Sequence, residues 1–341
     1  MKEKKEIYTA MRTENWDGKD SCSYKNFLVY PYGWRGRIGL LIPSGDFTSP
    51  LAVRKITSKF GDEVQVIDIP MNSAIGIPVK LGRGEKRPPW VSEENWQKTL
   101  VNLHKGQNDD KSKEVANGSA DENFEFQGTM YDRGRWTEEE LAKNFGPFPG
   151  TPQAAEYAWK FDVGVIAYGC TSGSFFKGKK DPLWHLCLSK MIEDHVGIHC
   201  ITATEAVLKA LKVMGIQKVL LYGPYEEVIL KRMKETLEGN GFNILYMDAL
   251  GKYRTGIRRN IDLTIERPET VYRQVKQSFT PEADAIFVSC TAYRAVEVIE
   301  KMENDFKVPV ITSNQALAWA SLRYLGINEP VLGYGKLLRD Y

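Results

Sequence analysis

The sequence predicts an α/β protein of two pseudo-symmetric lobes, each a doubly wound parallel sheet, with the active site in the cleft between them. Three observations lead there. Short apolar runs alternate with amphipathic helical patterns along most of the chain. Pairs of strand endings recur in its two halves, and two cysteines, Cys170 and Cys290, close matching runs.

The first thirty-odd residues are polar with scattered aromatics and read as an arm (1–35) that packs Tyr30, Tyr32 and Trp34 on the body. The first lobe is expected over 36–215. Arg37 to Ile42, bounded by Pro43 and Gly45, has the continuous apolar character of a strand buried on both faces; a helix follows over Pro50 to Phe60, and Val64 to Pro70 is the next strand. From about 71 to 155 clustered Gly, Pro and charge mark an insertion, either a surface excursion or a lid that covers substrate.

DVGVIAYGC then reads as a strand, and ITATEAVLKALKVMG as a helix capped by Thr202 or Thr204 and stopped by Gly215. The second lobe, 216–315, repeats the rhythm: strands in QKVLLYGPY, FNILYMDALG, ADAIFVSCTA and VPVITSNQA, with helices in EEVILKRMKETLEGNG, PETVYRQVKQSF and YRAVEVIEKMENDF. The last segment, 316–341, opens with ALAWASLRYLG and is expected to pack back on the first lobe. RIGLLIPSGD echoes KVLLYGPYEE, and DVGVIAYGCTSG echoes ADAIFVSCTAYR. The insertion accounts for the wider spacing of the two segments in the first half than in the second.

Composition narrows the function. The chain has 341 residues, 42% of them hydrophobic, 26% charged, with a formal net charge of +2, the balance of a soluble globular protein without the basic excess that nucleic acid requires. No run is long enough to span a membrane, and the charged N-terminus lacks an apolar signal core, so a cytoplasmic location is expected. The five cysteines form no CxxC pair and the four histidines no ligand spacing. Neither a metal nor a cofactor is expected, and the expected partners are a small carboxylic acid and further copies of the chain in a closed homo-oligomer.

A single strand-end cysteine is most simply core. Two at echoing positions, each followed by threonine, point instead to a cleft approached from both sides. Ligands of open parallel sheets sit at the carboxyl ends of the strands, where Cys170 and Cys290 both fall. Thr171, Ser172 and Thr291 offer hydroxyl and N–H donors for a carboxylate, and helix N-termini there are expected to lower a thiol pKa. Cys22, Cys187 and Cys200 have no such setting.

GWRGRIGLLIPSGD, YGCTSGSF, YGPY, SCTAYRAVEVIEK and VPVITSNQALAW together resemble the aspartate/glutamate racemase superfamily, in its branch of maleate cis-trans isomerases and arylmalonate decarboxylases. The resemblance implies a cofactor-independent, two-lobed enzyme acting at a carbon adjacent to a carboxylate, with Cys170 and Cys290 as catalytic thiols. The branch's decarboxylases have glycine at the first position, so two cysteines imply an isomerase or racemase. By the same resemblance Tyr225 and Asn260 bind a substrate carboxylate. Ser44 and Asp46 stand where the isomerases have Ser-x-Asn, and an acid there repels a second carboxylate.

The rival on the same scaffold is a decarboxylase. A non-catalytic small-acid binding protein is a further alternative. A dinucleotide enzyme is disfavoured, because no GxGxxG follows a strand.

Overall fold

The computed structural model describes residues 33–43, 46–71, 151–225, 227–249 and 266–341. The arm through residue 32, the insertion over 72–150, Ser44 and Asn260 lie outside the described residues. Each lobe holds a four-stranded sheet whose pairings are all parallel. In the first lobe the elements are β1 (Gly36–Ile42), α1 (Thr48–Thr57), β2 (Val64–Pro70), α2 (Thr151–Lys160), β3 (Val165–Tyr168), α3 (Thr171–Phe175), α4 (Trp184–Val196), β4 (Cys200–Thr202) and α5 (Ala203–Val213). The second continues with β5 (Lys218–Gly223), α6 (Glu227–Gly239), β6 (Asn243–Ala249), α7 (Pro268–Ser278), β7 (Ala285–Val288), α8 (Ile299–Phe306), β8 (Val310–Thr312), α9 (Ser313–Tyr324) and α10 (Lys336–Asp340).

The strand orders are β2-β1-β3-β4 and β6-β5-β7-β8, the same winding twice. Because β1, β3, β5 and β7 are central and covered on both faces, their side chains are almost wholly buried, as their apolar runs require. In both sheets the winding reverses at the central pair, so the loops after β1 and β3, and after β5 and β7, diverge and leave a crevice at the strands' carboxyl ends.

The repeat reaches individual hydrogen bonds. A shift of 110 residues lays Glu193, Thr202 and Glu205 on Glu303, Thr312 and Gln315. Glu193 accepts the Cys200 N–H at 2.9 Å and Glu303 the Val310 N–H at 3.0 Å, so each carboxylate satisfies the first donor of an edge strand. Thr202 and Thr312 then cap α5 and α9, each accepting the N–H three residues on at 3.2 Å.

Several elements depart from the sequence reading: β4 takes the first residues of the run read as a helix from Ile201, and α10 was not anticipated. The α4 helix is unanticipated: its buried Trp184, Leu188 and Ile192 follow the helical period, but exposed Leu183, Leu186 and Met191 blur the apolar stripe. The α2 helix begins inside the span read as insertion. One apolar core extends through both lobes, and α9, whose strand β8 belongs to the second sheet, packs on α1 and α5 of the first.

Candidate active site

The reversal points gather the candidate residues. Asp46 follows β1, Cys170 follows β3, Tyr225 follows β5 and Cys290 follows β7. Thr291 fastens the two halves together, its hydroxyl donating to the Gly169 carbonyl across the lobes at 2.9 Å. The same hydroxyl stands beside the Asp46 side chain, so one threonine links both cysteine loops and the loop after β1. Phe175 and Tyr225 meet edge to face across the same boundary, 5.9 Å between centroids.

Cys170 is the N-cap of α3; its sulfur accepts the Gly173 N–H at 3.4 Å and lies 3.6 Å from the Ser172 hydroxyl. Cys290 is held differently. Its φ of 107° is left-handed, a strained backbone for any residue with a Cβ, and Tyr225 and the Ala292 N–H stand beside the sulfur and favour its thiolate. Both are buried, at 5% and 8% exposure.

Burial overturns the expectation of lowered thiol pKa values. It pushes Cys170 up to about 11, against the pull of the Gly173 N–H and the Ser172 hydroxyl. Cys290 is pushed up to about 12, again by burial first, with Tyr225 opposing and the charges of Asp46 and Cys170 adding to the rise. A short helix's N–H groups do not offset the lost solvation of a thiolate.

Asp46 is 4% exposed and serves α1: Oδ1 accepts from the Thr48 and Ser49 N–H groups at 2.9 and 3.0 Å, and Oδ2 from the Ser49 hydroxyl. Burial raises its pKa, against those hydrogen bonds. Its carboxyl is therefore a fixed element beside both thiols, the first turn of a helix hung on it. Thr171 differs: its hydroxyl oxygen is buried and makes no hydrogen bond among the described residues. Ser172 is partly exposed beside the Cys170 sulfur.

The sequence reading missed the supports of these loops. Thr204 donates to the Thr171 carbonyl at 3.4 Å and Asn314 to the Thr291 carbonyl at 2.7 Å, so equivalent positions of α5 and α9 hold the residue after each cysteine. The Trp184 indole N–H donates to the Gly173 carbonyl at 3.0 Å and anchors α3 from behind. The 110-residue shift was the signal that pairs Thr204 with Asn314. Among the described residues no cluster of three or more His, Cys, Asp or Glu side chains is arranged to hold a metal ion, and no helix is long and apolar enough to cross a membrane.

Gly169 sets how closely β3 lies to β1. A Cβ there would stand 3.0 Å from the Leu41 carbonyl oxygen and 3.2 Å from Leu40 Cδ1, and backbone cannot yield as a flexible side chain does. Gly169→Ala is expected to cost about 1–3 kcal/mol of stability by overpacking and to lower turnover roughly tenfold by displacing the Cys170 loop. Denaturant unfolding and steady-state kinetics check both parts.

A pair of matching α/β lobes with one thiol from each at a shared boundary defines a class of two-cysteine, two-lobed proteins. By sequence the chain belongs to the arylmalonate decarboxylase family, whose profile matches residues 153–338. It is similar to the arylmalonate decarboxylase of Bordetella bronchiseptica, 26% identical over 190 residues that cover 53% of this chain and 73% of that one. It is also similar to a maleate isomerase of Nocardia farcinica, 28% identical over 136 residues, 40% of this chain and 52% of the relative. Among solved structures, a variant of the Nocardia farcinica maleate cis-trans isomerase with a covalently bound succinylcysteine intermediate shares the fold, with a TM-score of 0.63 at 18% identity over 90% of this chain and 99% of that one.

Proposed function

We propose that this protein is an isomerase or racemase acting at a carbon adjacent to a carboxylate, with Cys170 and Cys290 as its two proton- or carbon-handling groups. The relatives place the chain among isomerases and decarboxylases. The observation that carries the finer reading is the pair of thiols, one from each lobe, tied to one boundary by the Thr291–Gly169 bond.

In the isomerase form Cys170, its proton released to solvent, adds as thiolate to the alkene carbon of a cis-enedioate or related acid. An S–C bond forms, and the π pair passes to the neighbouring carbon, conjugated with its carboxylate. The C–C bond, now single, rotates; the S–C bond then breaks, and its electrons restore the alkene in the trans arrangement. Cys290 acts as the acid–base partner, giving its proton to the neighbouring carbon after addition and taking it back before the S–C bond breaks. In the racemase form one thiolate removes the α-proton and the opposite thiol returns one. The covalent succinylcysteine in a structural relative supports thiol addition on this fold. Thr171 and Ser172 receive the carboxylate, and Tyr225 orients the Cys290 thiol. Asp46 disfavours a second carboxylate nearby, which favours a monoanionic substrate over maleate itself.

A decarboxylase is the second reading, favoured by the family profile and the Bordetella relative. Incubation with candidate acids in D2O separates the two. Deuterium entry or cis-trans conversion with all carbon retained supports the isomerase or racemase, whereas release of carbon dioxide from a malonate sinks it.

A further inference from the structure

We propose that Ser313 is a positioning residue: its hydroxyl accepts the Cys290 backbone N–H and holds that cysteine in the left-handed conformation that directs its thiol at the site. The inference rests on Cys290 being a working thiol. Three described non-glycine residues have positive φ; Asp162 and Lys307, at 49° and 60°, lie in the common left-handed helical region, while Cys290 at 107° lies well beyond it. Such a conformation persists only where its surroundings over-determine it.

Here they do so at three successive residues. The Ser289 N–H donates to the Tyr222 carbonyl at 2.8 Å, the Cys290 N–H to Ser313 Oγ at 3.1 Å, and the Thr291 carbonyl accepts from Asn314 at 2.7 Å. Cys290 and Ser313 are buried, so the N–H has no solvent to turn to if the hydroxyl is removed.

The first lobe supplies the comparison. The shift that pairs Thr204 with Asn314 pairs Ala203 with Ser313. The asparagine's role therefore has a counterpart and the serine's does not. Cys170 has an ordinary extended φ of −131°. Hydroxyl and left-handed cysteine occur together in one lobe and are both missing from the other. One hydroxyl thus accounts for a backbone difference between two otherwise matching cysteine loops.

The test uses the full chain with Ser313→Ala, the residue the first lobe carries, and Ser313→Thr, which restores a hydroxyl. Carbamidomethylation by iodoacetamide is followed at each cysteine by peptide mass spectrometry. Ser313→Ala is expected to change the Cys290 rate about tenfold, leave the Cys170 rate within about twofold and lower turnover about tenfold, with Ser313→Thr returning all three toward the parent. An unchanged Cys290 rate, or an equal change at both cysteines, overturns the proposal. Should Ser313→Ala fail to fold, Cys290→Gly and Cys290→Ala still decide. Glycine must be the more stable if the left-handed backbone is held, and the reverse order overturns the proposal. Alkylation needs no substrate, so these outcomes stand apart from the D2O assay.

Discussion

Cys170→Ser and Cys290→Ser are each expected to lower turnover by about 100-fold or more, the loss typical of removing an acid–base group, with little change in melting temperature. The fold tolerates both because a serine hydroxyl finds partners at either position. At 170 these are the Gly173 N–H and the Ser172 hydroxyl, and at 290 the Tyr225 hydroxyl and the Ala292 N–H. Cys187 is exposed and provides the clean control, expected to keep full activity. Cys200 does not. It is fully buried in the apolar cluster on the outer face of the first sheet, where a serine hydroxyl costs about 1–3 kcal/mol if left without a partner. Measuring kcat alongside thermal unfolding separates the two kinds of loss. Full activity in Cys170→Ser with none in Cys290→Ser would mean a one-thiol enzyme, and the decarboxylase reading would then replace ours.

Alkaline pH should destabilise the protein through the same thiols. Both have an ordinary value of 9.0 and are pushed up by burial, to about 11 and about 12. Above pH 9 the unfolded chain releases these protons while the folded one retains them, so folding stability falls as pH rises. The contribution is complete below pH 9 and is progressively lost up to the folded values, at about 1.4 kcal/mol per pH unit for each group. Several kcal/mol are at stake by pH 11. Chemical unfolding of the parent and of the Cys170→Ser, Cys290→Ser double variant, compared from pH 7 to 11, isolates the effect because every other titrating group is common to both. Equal slopes would show that neither thiol is desolvated as the structure has it.

The lobes and their strand ends were legible in the sequence because buried parallel strands are continuous apolar runs that stop at small residues. That is why Cys170 and Cys290 stood out, while the edge strand Val64–Pro70 was read residue for residue from its alternation. Thiol acidity was not legible. A helix N-terminus is a local feature, visible in Cys-Thr-Ser-Gly, whereas desolvation comes from elements far apart in the chain. Asp46 was read by its charge alone, although Asp-Phe-Thr-Ser before a helix also carries a capping pattern, and capping is what its oxygens do. The Ser313 contact was hidden for another reason. VPVITSNQA reads as one strand, but the strand ends at Thr312 and Ser313 opens a helix, which turns its hydroxyl toward the preceding loop.

The placement of α9 also bears on how the chain is made. Every residue from Ser313 to Leu322 is buried, and the helix that carries them lies on α1 and α5, which are translated far earlier. A nascent chain leaving the ribosome N-terminus first therefore presents the apolar faces of α1 and α5 before their cover has been synthesised. The first half cannot complete its core during translation, and final closure awaits nearly the whole polypeptide. Folding of the two lobes is thereby joined into one late event, and an incomplete chain truncated before residue 313 exposes the surface that chaperones and proteases recognise.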